Sequence, residues 1–220
     1  MSSATYERPT APMPEPTPTA AEPDAVRLPR RRIDQLLIGV GVIAAIVFAA
    51  AGGLLTWGAS FANDYVHDEL ASQNVFFPDE ASLQEEGRDD LVKYADEQVT
   101  TGAEAEAYAS YIDGHLAEIA GGLTYAEIDD RGAAQAVVDA EESGASEAEI
   151  AELQATADEL RGQRDSLFRG ETLRGLLLSS YAWATIGTIA AIAAVVAFAG
   201  AAVMAILVIA GMVHLRRHPA

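Results

Sequence analysis

Apolar side chains fall along this chain in two long uncharged runs with a polar, periodic stretch between them. The first run, Leu36 to Trp57, holds twenty-two residues without a charged side chain. A helix of that length at ~1.5 Å per residue crosses a hydrocarbon core of ~30 Å. The second run, Gly175 to Val213, is longer. At ~58 Å as a helix it exceeds the same core, so part of it must stand outside lipid. Tyr181 and Trp183 are placed to form an outer aromatic belt matching Trp57, which puts the second span near Thr185 to Leu207.

Between the runs the pattern switches to short amphipathic segments, and all of them read as helices except one. Phe61, Tyr65, Val66 and Leu70 carry the first span outward to about Ser72. Asn74 to Pro78 reads as extended chain, ended by the proline. Asp89 or Asp90 caps a short helix holding Leu91, Tyr94, Ala95 and Val99. Tyr108, Tyr111, Ile112, Leu116 and Ile119 predict a helix from Glu104 to Ala120, stopped by Gly121 and Gly122. Thr124 to Glu127 has the form of a capping box opening the next helix, and Ser146 to Glu149 that of another. After the second box, Ile150, Leu153, Ala157, Leu160 and Leu167 hold heptad positions broken by Arg164.

The fold class expected is therefore all-α: two transmembrane helices with a helical extracytoplasmic domain inserted between them. Residues 1–32 form a Pro-rich cytoplasmic tail, disordered because it has no apolar periodicity to offset its ordering entropy. Residues 33–57 are the first span, 58–180 the outer domain, 181–213 the second span with its outer extension, and 214–220 a short basic tail. Arg27, Arg30, Arg31 and Arg32 precede the first span, and no Lys or Arg follows until Arg88. That bias places both termini inside, at the plasma membrane. Arg216 and Arg217, with His214, anchor the far end. Small residues at four-residue steps, Gly41, Ala45, Ala49 and Gly53, predict a close helix-helix seam in the first span. Neither run holds an ionisable group, which argues against a proton or ion path.

Charge and composition then narrow the function. The chain carries a formal net charge of -19 and no cysteine. Nucleic acid is an unsuitable partner for so acidic a surface, and disulfides and thiolate metal sites are excluded. The acidity sits in the outer domain, as a solvated surface or as a docking face for a basic partner or loosely held divalent cations. At its lower edge, Asp68 and Glu69 stand at a helical height overlapping Arg169 and Arg174, so charge pairing between the clusters is expected. His67 and His115 are the outer domain's histidines, and with one carboxylate they nominally compose a mononuclear iron triad, although no ligand spacing selects that carboxylate. Nucleophile elbows, phosphate loops and zinc-protease helices are missing, so no cofactor or small molecule is implied.

Three passages carry a resemblance: Asn63 to Leu70 through Phe76-Phe77-Pro78, Ala107 to Ile112 through Gly121 to Glu127, and Phe168 to Leu178. In this order, between two spans, they resemble a family of actinobacterial two-pass membrane proteins of uncharacterised function. Some members of that family bear the name aromatic ring-opening dioxygenase. The resemblance covers most of Trp57 to Gly187 and leaves out the stretch near Ala133 to Gln154, which looks like an insertion. It implies a fold and a location, and it transfers no catalytic residue. Three function classes follow: an envelope interaction or structural module, with the bilayer, a protein partner or a second copy bound through the outer helices; a metal-dependent oxidoreductase; and a membrane sensor. The first is the leading expectation.

Overall fold

The computed structural model describes residues 30–217; the expected tail up to Pro29, and His218 to Ala220, lie outside that range. Among the described residues there are five α-helices: α1 Arg30–Ser72, α2 Glu80–Glu85, α3 Gly102–Ile119, α4 Asp130–Ser143 and α5 Glu147–Arg217. A short 3-10 helix, Asp89–Tyr94, lies between α2 and α3. Among the described residues the extended backbone pairs once, where Phe76 meets Gln98 in an antiparallel bridge. The Phe77 amide donates to the Glu97 carbonyl at 2.9 Å, and the Val99 amide to Val75 at 2.9 Å. The extended reading of Asn74 to Pro78 holds, and its partner is the extended chain about Gln98, so the expected short helix ends at Tyr94, without a side-chain cap from Asp89 or Asp90, and Val99 lies beyond it.

The 71 residues of α5 form one unbroken helix, ~105 Å long. No proline falls within it, and its glycines are scattered singly between good helix formers, so nothing in the sequence ends it at the expected domain boundary near Ser180. Both ends of the hairpin likewise run further than expected. Arg31 and Arg32 belong to α1 rather than to a tail, and His214, Arg216 and Arg217 belong to α5. Of Arg30 the backbone alone is described.

Helices α1 and α5 pack antiparallel in a register set by glycines. A Cβ on Gly41 would come within 2.7 Å of Val208, one on Gly52 within 2.9 Å of the Phe198 ring, and Gly187 faces Ala62 at 3.2 Å. The inward positions of α5 advance in alternate steps of three and four: Gly187, Ala190, Ala194, Ala197, Ala201, Met204, Val208. That alternation averages the 3.5 residues at which a stripe stays on a partner helix. The expected four-residue stripe in α1 is corrected accordingly. Gly41 is buried and Ala45 partly so, but Ala49 and Gly53 are exposed, and Gly52 occupies the seam instead. Each four-residue step overshoots a turn by about 40°, so such a stripe leaves the interface after two steps.

Outside the hairpin, α3 and α4 lie along the outer half of α5. The main core joins α1 through Val66 and Leu70, the connecting chain through Phe77, Leu83, Leu91 and Val99, α3 through Ala105 and Ala109, and α5 through Leu177. A smaller core holds Leu116, Ala120, Ile128 and Leu167. Phe61 and Tyr65, expected on the packed face of α1, point away from it and are exposed.

The caps explain where α3 and α4 begin. Thr101 and Glu104 form a reciprocal capping box, so α3 starts at Gly102, two residues before the expected point. The Thr124 amide and hydroxyl do donate to Glu127, at 2.8 and 2.7 Å, but they close a turn and do not open a helix. Helix α4 begins instead at Asp130, capped by Asp129. Ser146 does cap α5, accepting from the Glu149 amide at 3.3 Å.

Candidate functional site

Two junctions and one open end concentrate the unusual residues. The first junction is where the outer domain sits on the hairpin. Gly102, at the start of α3, lies so close to α5 that a Cβ there would collide with the Ala184 methyl. Beside this contact a pocket of about 280 Å³ is lined by Asn63, Asp64, His67, Thr100 and Thr101. On the other flank of α1 a cleft of about 310 Å³ has Tyr65, Glu69, Leu173, Leu176 and Trp183 in its walls. Trp57 stacks on Phe61 with ring centres 5.9 Å apart, and Phe61 on Tyr65 at 6.3 Å.

This geometry corrects the expected aromatic belt. By the α1–α5 register, Trp57 stands opposite Ile192, and Trp183 stands opposite Val66. Tyr65 is therefore the aromatic partner of Trp183 in height, while Tyr181 is partly buried, its backbone against Gly102. The difference arises because α5 continues straight outward past Trp183, which raises its aromatic pair above the level of Trp57.

The expected pairing of Asp68 and Glu69 with Arg169 and Arg174 is also replaced. Arg174 reaches Asp113 of α3 at 3.4 Å and Glu171 at 3.1 Å, and Arg169 pairs with Asp165 at 2.8 Å. Helix α3, packed on α5, brings Asp113 to the place where α1 was expected. Asp68 is exposed, and Glu69 faces the cleft.

The second junction is built on Arg164, the residue that interrupts the heptads. Its guanidinium donates to Asp130 and to the Tyr125 hydroxyl at 3.3 Å, and lies 4.5 Å from the centre of the Tyr125 ring. Tyr125 and Asp130 thereby hold the guanidinium charged, above the ordinary arginine range. An arginine at a heptad position thus fastens the turn before α4 to α5, which is a structural task.

Titratable groups elsewhere are engaged in the same way. Burial raises the Tyr111 phenol to about 12, helped by its hydrogen bond to Glu86. Arg88 forks onto Asp90 and reaches the Ser110 carbonyl at 2.9 Å, tying the 3-10 helix to α3. The two histidines do not converge: His67 is on α1, and the His115 ring lies tilted against Tyr111, with centres 4.6 Å apart, on α3. Among the described residues no three His, Asp or Glu side chains gather where a metal could bind, and no polar or charged side chain is buried. The iron triad left open by the sequence has no donor set in this arrangement.

At the open end of the hairpin, Arg31, Arg32 and Asp34 on the first turns of α1 stand level with His214, Arg216 and Arg217 on the last turn of α5. Below them the two helices are long and apolar enough to cross a membrane, and 11 % and 17 % of their most apolar windows is buried. A soluble core helix buries most of such a window. Sequence reasoning missed Gly102, Asp113 and Tyr125. Of these, Gly102 alone had a local signal, the Thr101-x-x-Glu104 box. The chain matches no protein-family model, no curated protein and no solved structure.

Proposed function

We propose that this chain is a two-pass protein of the plasma membrane, with both ends inside, that stands an acidic helical domain outside as a non-enzymatic interaction or structural module of the envelope. The observation that carries the reading is the single helix α5, which serves first as a strut of the outer domain and then as an apolar span. A helix without a break transmits position rather than accommodating a hinge, so the outer domain is held at a fixed height. Its far tip, at the α4–α5 turn, stands ~55 Å from Ala184 along α5. Exposed carboxylates crowd that tip, among them Glu141, Glu142, Glu147, Glu149 and Glu152.

Such a surface suits a basic protein partner, approached by charge and released by salt. The arginines at the open end support the inward orientation of the termini. The family resemblance implies the same two-pass architecture. The test is crosslinking in cells followed by purification in mild detergent. A partner or a second copy is expected to copurify, and to be lost when Glu141, Glu142, Glu147 and Glu149 are changed to Gln. A chain recovered alone in every condition would contradict the interaction reading.

A further inference from the structure

The open end of the hairpin contains a cleft of about 550 Å³ between α1 and α5, within the size range of small-molecule sites. Leu37, Gly41, Met204 and Val208 line its depth, and Asp34 and His214 stand at its mouth. From His214 to Met204 the helix rises ~15 Å, which is half of a hydrocarbon core of ~30 Å. The cleft therefore runs from headgroup level into the hydrocarbon of one leaflet, where the first part of an acyl chain would lie.

The mouth has the opposite charge to the rest of the molecule. Arg31 lies one turn beyond Asp34, Arg217 one turn beyond His214, and Arg32 and Arg216 adjoin them. Residues three apart share a helix face, so these arginines extend the cleft's own walls. Asp34 is one carboxylate against four guanidinium groups, in a chain whose formal net charge is -19. An apolar trough under an arginine rim fits an amphiphile with an acyl tail and a phosphate head. A soluble anion would leave the trough unfilled, and a zwitterionic lipid would leave the rim charge uncompensated.

We infer that this cleft is a binding site for one anionic phospholipid of the inner leaflet, its phosphate on the arginine rim and one acyl chain between α1 and α5. The inference rests on the two-pass reading. It gives the basic end a task beyond orientation, since a retained lipid would fill the groove that runs beside the α1–α5 contacts.

The test uses the full chain in nanodiscs of equal phosphatidylglycerol and phosphatidylcholine, released for native mass spectrometry. Wild type is expected to retain one phosphatidylglycerol in preference to phosphatidylcholine. R216Q/R217Q, which keeps Arg31 and Arg32 to set orientation, is expected to lower that preference roughly tenfold or more. A210F places a ring on the cleft wall without changing charge, and is expected to abolish retention. Equal retention of the two lipids would overturn the site. So would loss in R216Q/R217Q with retention in A210F, which would mean surface attraction alone, or a dimer mass with the cleft covered by a second copy. Carbonate extraction of the same membranes separates the two claims. A chain that stays in the pellet but shows no lipid preference overturns the site, whereas a chain that washes off overturns the two-pass reading.

Discussion

The two halves of α5 are built inside out relative to each other. In the outer half the inward stripe carries large apolar residues, with Leu160 and Leu167 packed in the core that holds Leu116 and Ile128 and Leu177 in the core shared with α1 and α3, while most charged residues face out. In the inner half the stripe is small, with Ala184, Gly187, Ala194 and Ala197, and the large residues Ile189, Ile192, Val195 and Val196 are exposed. The backbone is the same straight helix and the inward spacing is the same. What differs, on the proposed two-pass reading, is the solvent each half is made for. In water, burying Leu drives association. In lipid a Leu gains nothing by turning inward, so close approach of small residues holds the helices instead.

The largest expected effects break this contrast directly. Leu83, in the outer core, is wholly buried. Leu83→Ala is expected to cost about 2–5 kcal/mol in thermal unfolding of the detergent-purified chain, because the cavity cannot collapse. In the inner half Val195 is 69 % exposed, and Val195→Ala should change stability by about 0.5 kcal/mol or less. A large loss at Val195 would mean that this face packs against something other than lipid.

A somewhat smaller effect is expected where the seam is tightest. A Cβ on Gly52 would press on the Phe198 ring at 2.9 Å, whereas nothing lies within 4 Å of one on Gly53. Gly52→Leu should destabilise the hairpin by about 1–3 kcal/mol through overpacking. Gly53→Leu should be neutral, or stabilising by up to about 1 kcal/mol from helix propensity. Differential scanning fluorimetry of the two variants side by side decides whether the seam follows three-four steps or fours.

Arg164→Gln is expected to have a local effect. It frees Tyr125 and Asp130, so amide exchange should quicken through α4 while the α1–α5 pair keeps its protection. Equal quickening in both regions would mean that α4 and the hairpin unfold as one unit.

The smallest expected effect concerns pH. The folded Tyr111 phenol ionises near 12 against an ordinary 10, so the folded state holds a proton that the unfolded state gives up first. Its contribution is present below about pH 10 and fades as pH rises toward 12. The phenol is only partly buried, which keeps the effect small. Tyr111→Phe should flatten the slope of stability between those limits, and an unchanged slope would place the alkaline sensitivity elsewhere.

Local signals made most of the helices legible from sequence. The apolar runs, the Gly121-Gly122 stop and the Ser146 cap are contacts within a few residues, and each gave the element it implied. The Thr124–Glu127 box misled, because the same side-chain reciprocity closes an isolated turn as well as a helix. Register was not legible. Whether Gly52 or Gly53 meets α5 depends on how two helices far apart in sequence are phased, and composition does not encode that phase. The same holds for the charge pairs. Heights along one helix axis suggested Asp68 for Arg174, but azimuth and the intervening α3 gave it to Asp113.

The absence of cysteine makes the central claim directly measurable, since single cysteines can be placed at Glu97, Ile192 and Arg217 in otherwise unreactive chains. A membrane-impermeant maleimide applied to intact cells should label Glu97→Cys. It should leave Arg217→Cys unlabelled until the membrane is permeabilised, and Ile192→Cys unlabelled until detergent dissolves the bilayer. Labelling of Arg217→Cys together with Glu97→Cys on intact cells, or of Ile192→Cys in an intact membrane, would contradict a two-pass protein with its helical domain outside.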